Sequence, residues 1–166
     1  MPKSKKKRNK PYRPRAINLT AHDAGIKSSC FMPVQDIDLI SNKLQQALNI
    51  AFMGTYHVGA WRRILWAFFM TMHASTKFDL LSGDAVELFM HGHQLLENAS
   101  NRMRQHKTGA LNAEERKFLE LLAELYREVA FQCTIGQWAQ IEHLVESEIR
   151  STVKGDADEY LRSMEF

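Results

Sequence analysis

The residues with the clearest potential for chemistry are basic side chains near the start of the chain. Of the 22 Lys and Arg in the 166-residue sequence, eight fall within residues 1–15, where there is no Asp or Glu. Basic side chains at this density neutralise phosphates and release counterions, which gives affinity without sequence preference. We therefore expect this segment to bind nucleic acid, through Lys3, Lys5, Lys6, Lys7, Arg8, Lys10, Tyr12, Arg13 and Arg15.

The spacing within this segment refines the expectation. Pro14 stiffens the backbone between Arg13 and Arg15, so the two guanidinium groups could enter a narrow minor groove. Tyr12 could stack on an unpaired base. Two alternatives remain open for the segment: contact with an acidic protein surface, and a solvated tail with no specific role.

Signals for catalysis or a metal site are weak. His91 and His93 would diverge by about 200° on a helix and cannot share one ion. Glu87 and His91 are one turn apart, but they lie off the apolar stripe. Cys30 and Cys133 have no CxxC partner, and no nucleophile or phosphate-loop motif occurs. We expect no enzymatic activity, no cofactor and no metal.

The net charge of +3 conceals an asymmetry between two parts of the chain. Outside residues 1–15, the remaining 14 Lys and Arg face all 19 Asp and Glu, which leaves that part at −5. A basic arm on an acidic body favours contact with nucleic acid or with an acidic partner. The two isolated cysteines suit a reducing cytoplasm.

Four segments are expected along the chain. Residues 1–15 form an extended basic arm, residues 16–32 an irregular connector, residues 33–155 a helical bundle and residues 156–166 an acidic tail. No stretch alternates as a strand would. The fold class is therefore predicted to be all-α, a single bundle of about five helices.

Spacing and capping signals place the five helices. The first starts near Pro33 and stops at Gly54; the second covers about 60–76, the third 84–106, the fourth 112–132 and the fifth 134–155. Three pairs match the capping box: Asp84 with Glu87, Asn112 with Glu115, and Thr134 with Gln137. The inner face of the third helix is predicted as Val86, Phe89, Leu96 and Met103, and that of the fourth as Phe118, Leu121, Leu122, Leu125, Tyr126 and Val129.

The second helix is apolar on most of its faces, which is typical of a central helix or a dimer interface. Its most apolar run, residues 64–70, is too short to cross a bilayer, so no membrane contact is expected. A partner interface, including a possible homodimer, is predicted at Trp61, Arg62, Arg63 and Trp66.

Further basic residues could extend a positive surface beyond the arm. Arg62 and Arg63 lie on the second helix, while Arg102, Arg104 and Lys107 lie near the end of the third. Whether the two groups share a face is left open. A helix-turn-helix over residues 112–150 is rejected because its second helix is too acidic to enter a groove lined with phosphate.

Four stretches together resemble a family of small helical proteins encoded by bacteriophages and prophages. They are KKKRNKPYRPR, DLISNKLQQALNIA, the tract from NRMRQHKTG to EVAFQCT, and IEHLVESEIR. Members similarly carry a Lys/Arg arm that runs into a Tyr-Arg-Pro motif, here residues 12–15. The tract around residues 56–84 looks like an insertion relative to that family.

The resemblance implies a phage setting, in the cytoplasm of a bacterial host, rather than a chemical mechanism. The expected function is non-enzymatic nucleic-acid binding through the arm. The alternative is an inhibitor that binds a host protein or ribonucleoprotein complex, such as an anti-CRISPR or other anti-defence protein.

Overall fold

Five α-helices account for most of the residues that the structure describes. The computed structural model describes residues 28–81, 85–106 and 109–153. The helices are α1 (Val34–Phe52), α2 (Val58–Phe78), α3 (Ala85–His106), α4 (Ala113–Gln132) and α5 (Ile135–Val153). The predicted all-α fold is confirmed. The predicted arm (1–15) and acidic tail (156–166) lie outside the described residues.

The described end of the connector is tied to the bundle rather than irregular throughout. Residues 28 and 29 are helical, and Phe31 forms a single β-bridge with Thr134. The carbonyl of Cys30 accepts a hydrogen bond of 2.8 Å from the backbone N–H of Ile135. The chain therefore enters the bundle beside the turn between α4 and α5.

Capping interactions fix where the helices begin. The Asn112 side chain accepts from the Glu115 N–H at 2.8 Å, and the Glu115 carboxylate accepts from the Asn112 N–H at 2.9 Å. Thr134 and Gln137 make the same reciprocal pair at 3.2 and 2.9 Å. The predicted capping boxes at Asn112 and Thr134 are confirmed, and the one predicted at Asp84 lies outside the described residues.

A cap that the sequence analysis missed lengthens α2. The Nδ1 atom of His57 accepts from the Ala60 N–H at 3.1 Å, so the helix begins at Val58 rather than near residue 60. Histidine is not among the residues most favoured at this position, which is why the pattern did not indicate it.

The centre of the bundle is α2, which packs against each of the other four helices. Ile64, Phe68 and Met70 are fully buried, and Phe68 makes edge-to-face contacts with Phe89 and Phe118 at 5.8 and 6.1 Å between ring centroids. The apolar character of α2 on most faces therefore reflects a core position.

Two residues of the predicted inner faces lie at the surface instead. Val86 is 61% exposed and Leu121 is 37% exposed, whereas Leu119 is fully buried. At about 100° per residue, Val86 and Leu121 each fall roughly 120° from the centre of the buried arc of their own helix. The predictions for these two residues were wrong because a three-four spacing also fits residues at the margin of a wide stripe.

The contact between α3 and α4, which we call the α3–α4 seam, is tightly packed at Gly92. A Cβ added at Gly92 would lie 2.0 Å from the Cζ atom of Phe118, so the ring rests directly on the glycine backbone. One turn before Phe118, the buried carboxylate of Glu115 accepts from the Arg102 guanidinium at 2.6 Å. The glycine between His91 and His93 is thus explained by helix packing.

Candidate functional site

A pocket opens on one side of the bundle, between α1, α2, α4 and α5. Its volume is about 610 Å³, within the range of ligand-binding clefts. Ile40 and Leu44 from α1 and Ala67 from α2 contribute apolar lining. We call this feature the inter-helix pocket.

Three cations line the inter-helix pocket. Lys43 comes from α1, and Arg62 and Arg63 come from α2; all three are exposed. In the part of the chain that the structure describes, none of the three has a carboxylate oxygen within 4 Å. Their positive charges are therefore available to an anionic ligand.

Several other described arginines are already engaged. Arg102 pairs with Glu115, Arg127 pairs with Asp38 at 3.0 Å, and Arg116 donates to the Phe52 carbonyl at 3.0 Å. These contacts connect α3 with α4, and α4 with α1 and its end. Within residues 28–81, 85–106 and 109–153, the pocket cations make no comparable contact between helices.

Aromatic side chains supply much of the remaining lining. Trp66 on α2 is half-buried, whereas Tyr126 on α4 and Trp138 on α5 are buried. The rings of Tyr126 and Trp138 meet edge-to-face, with centroids 5.5 Å apart. Two buried rings in contact form a rigid aromatic wall, and Trp66 adds a partly exposed one.

The α5 side of the inter-helix pocket is acidic. Glu142 and Glu146 are one turn apart and both line the pocket. The Glu142 Oε1 atom accepts from the indole N–H of Trp138 at 3.1 Å, which orients this carboxylate while its second oxygen remains an acceptor. The pocket thus has cations on its α1 and α2 sides and carboxylates on its α5 side.

The phenol of Tyr126 stays neutral in this environment. Burial raises its pKa well above the usual value of 10.0, the nearby Glu142 carboxylate adds to the rise, and Arg63 opposes it. A neutral phenol at the pocket wall is a hydrogen-bonding and packing group, not a base. The pocket therefore offers a ligand cations for anion contact, aromatic rings and hydrogen-bond acceptors.

Only three of the four residues predicted as a partner interface line the pocket. Arg62, Arg63 and Trp66 share the pocket, but Trp61 is buried, and its indole N–H donates to the Ser100 hydroxyl of α3 at 2.8 Å. Trp61 is about 100° from Arg62 around the helix axis, which turns it toward α3. Trp61 is therefore a packing residue and not part of the candidate site.

The remaining candidates from the sequence either lie outside the described residues or form no metal or catalytic site within them. The nine arm residues, Lys3, Lys5, Lys6, Lys7, Arg8, Lys10, Tyr12, Arg13 and Arg15, lie outside the described residues. His91 pairs with Glu114 at 3.1 Å between two exposed side chains, and Glu87 is exposed. No group of three metal-ligating side chains converges within residues 28–81, 85–106 and 109–153.

Three residues that line the pocket were not predicted from the sequence: Lys43, Trp138 and Glu142. Lys43 and Glu142 are nearly one hundred positions apart in the chain, so no local motif connects them. One weak signal was present, since Lys43 directly precedes Leu44 of the α1 stripe and lies at its edge. Only the packing of α1 and α5 against α2 brings these residues to Arg62 and Arg63.

Comparison with family models, with curated proteins and with solved structures found no match to this chain. No helix in the described part of the chain has the length and apolar character needed to span a membrane.

Proposed function

We propose that this protein is a non-enzymatic nucleic-acid-binding protein of a bacteriophage or prophage, in which the arm and the inter-helix pocket both contact the nucleic acid. The observation that carries the proposal is the set of three pocket cations that have no carboxylate partner among the described residues. Guanidinium groups suit phosphate because they donate two parallel hydrogen bonds and are weakly hydrated.

The charge of the whole chain supports the same proposal. Residues 1–15 contribute eight positive charges, and the rest of the chain sums to −5. An acidic body is repelled by phosphate except where cations gather, so contact is favoured at the arm and at the α1 and α2 sides of the pocket. This separation of positive and negative regions restricts the orientations in which a nucleic acid can bind to the protein.

The test is a salt titration of nucleic-acid binding by the full chain, a variant lacking residues 1–15, and the double variant Arg62→Ala/Arg63→Ala. Each lost phosphate contact should reduce the slope of log K against log salt concentration by roughly 0.7–0.9. We expect deletion of the arm to remove most of the slope and the double variant to reduce it by about 1–2.

Lys117→Ala is the matched control, because Lys117 is an exposed cation of α4 that does not line the pocket. Its slope and affinity should stay close to those of the unaltered protein. Full affinity of the arm deletion would contradict the proposed contact at the arm, and full affinity of the arginine double variant would contradict the proposed contact at the pocket.

The alternative function, inhibition of a host protein or ribonucleoprotein complex, is favoured by the −5 charge outside the arm, which could mimic nucleic acid. A pull-down from host lysate, with and without nuclease, separates the two functions. A stoichiometric host protein that is retained after nuclease treatment would favour the inhibitor. Loss of all partners on nuclease treatment would favour direct nucleic-acid binding.

A further inference from the structure

The inter-helix pocket has three kinds of lining that together match the parts of one nucleotide. Cations lie on the α1 and α2 sides, aromatic rings line the middle, and carboxylates lie on the α5 side. A purely anionic ligand would be repelled by Glu142 and Glu146, and a purely cationic ligand by Arg62 and Arg63. A ligand with an anionic end, a flat centre and a hydrogen-bond donor edge satisfies all three.

We propose that the inter-helix pocket holds one unpaired nucleotide of a single strand and favours a base with an exocyclic amine. This inference rests on the proposed function and extends that function by naming the form of nucleic acid that is bound. The phosphate lies against Lys43, Arg62 and Arg63, the base stacks on Trp66, and the amine donates to Glu142.

Stacking on Trp66 follows from the exposure of the aromatic rings. Trp66 is half-buried, so part of its surface is open to a ligand, whereas Tyr126 and Trp138 are only 5% and 7% exposed. The contact between Tyr126 and Trp138 fixes that wall. A base that stacks on Trp66 gains a contact that tolerates any sequence, because every base has a π face.

The preference for an amine follows from Glu142. Its Oε1 atom is held by the Trp138 indole, and a carboxylate offers only acceptors. Cytosine, adenine and guanine present an exocyclic amine that can donate to it. Thymine and uracil have carbonyl oxygens at the corresponding positions, and their one ring N–H donor lies between two carbonyl oxygens that a carboxylate repels. The base must leave its duplex partner to enter a pocket bounded by four helices, so a duplex is disfavoured.

The test measures binding of the full-length protein to single-stranded oligo(dA), oligo(dC) and oligo(dT) of about 15 nucleotides, and to a duplex of equal length, at one salt concentration. We expect the single strands with amines to bind about tenfold more tightly than the duplex, with quenching of tryptophan fluorescence. Oligo(dT) should bind more weakly than oligo(dC).

Variants assign the effect to the pocket. Trp66→Ala should lose about tenfold in affinity for single strands with an unchanged salt slope, because stacking and not phosphate contact is removed. Trp66→Phe keeps a ring and should retain most of the affinity, which gives a second measure should the alanine variant be less stable. Glu142→Gln should reduce the difference between oligo(dC) and oligo(dT).

The controls are Tyr56→Ala and Glu124→Gln, which alter an exposed aromatic and an exposed carboxylate away from the pocket. Both should bind like the unaltered protein. Equal affinity for single strands and duplex, or unaltered single-strand binding by both Trp66 variants, would overturn the pocket inference and leave the proposed function standing. Absence of any nucleic-acid binding at low salt would overturn the proposed function together with this inference.

Discussion

Arg102 in the α3–α4 seam and Arg62 in the inter-helix pocket are both surface arginines of long helices, but the bundle uses them differently. Arg102 donates to the carboxylate of Glu115, which is 2% exposed and also belongs to the capping box of α4. Arg62 has no carboxylate within 4 Å among the described residues. In the seam the arginine is paired with a carboxylate and stabilises the contact between two helices. In the pocket the arginine has no such partner among the described residues and is available to a ligand.

The same contrast appears in how completely each region is filled. In the seam the Phe118 ring occupies the space where a Gly92 side chain would be. In the pocket about 610 Å³ remains open beside buried aromatic rings. Sequence changes in the seam should therefore alter stability, and changes in the pocket should alter binding. Substitutions in the two regions test this division.

Arg102→Ala should cost about 2–3 kcal/mol of unfolding free energy, because it leaves the buried Glu115 carboxylate without its charged partner. Because Arg102 itself is partly exposed, the loss should lie near the lower end of the range seen when one partner of a buried ion pair is removed. Urea unfolding followed by circular dichroism measures it. A cost under about 1 kcal/mol would show that water replaces the arginine and that the seam does not depend on this ion pair.

Gly92→Ala should cost roughly 2 kcal/mol, since the new Cβ would overlap the Phe118 ring and the gain in helix propensity offsets only part of the strain. Thermal and urea unfolding measure it. The neighbouring His91→Ala, which removes only an exposed pair with Glu114, should change stability by less than about 0.5 kcal/mol. Comparable losses in both variants would refute the packing explanation of the glycine.

Tyr126→Phe should alter the pH dependence of stability more than stability near neutral pH. Burial, with the Glu142 charge, raises the pKa of the folded-state phenol, so above pH 10 the unfolded state loses its proton while the folded state keeps it. The contribution of Tyr126 to the free energy of unfolding is therefore intact below pH 10. Above pH 10 it is lost at up to about 1.4 kcal/mol per pH unit.

The measurement for Tyr126 is urea unfolding of both proteins between pH 9 and 11. The unaltered protein should lose stability faster than Tyr126→Phe above pH 10. Parallel curves would mean that the phenol ionises equally in both states and that the pocket wall is more hydrated than its burial indicates.

Arg62→Ala should give the smallest effect on stability, within about 0.5 kcal/mol, because no carboxylate or carbonyl depends on it in the described residues. The same unfolding experiment used for Arg102→Ala provides the comparison. A loss as large as that of Arg102→Ala would remove the distinction between a region that holds the fold and a region that binds.

Much of the fold could be predicted because the signals are local. The Asn112 and Thr134 capping boxes each join residues three positions apart, and they appear in the structure as predicted. The apolar stripes predicted the buried faces less precisely at their edges, where Val86 and Leu121 proved to be exposed. A spacing pattern defines the direction of a buried face but not its width, which depends on the neighbouring helices.

The candidate site could be predicted only in part. Arg62, Arg63 and Trp66 were recognised together because they lie within about one turn of one helix. Lys43, Trp138 and Glu142 come from the first and last helices, and no periodicity relates them to α2. Trp61 was grouped with the site by proximity in sequence, although its direction on the helix places it against Ser100.

The five helices, the Asn112 and Thr134 caps, the all-α class and the charge difference between residues 1–15 and the rest of the chain all follow from the sequence. These properties depend on backbone hydrogen bonding over a few residues and on composition. Which arginines are paired, and which remain available to a ligand, follows only from the tertiary fold. Pairing depends on which helix faces meet, and that is settled by the packing of α2 against all four of its neighbours.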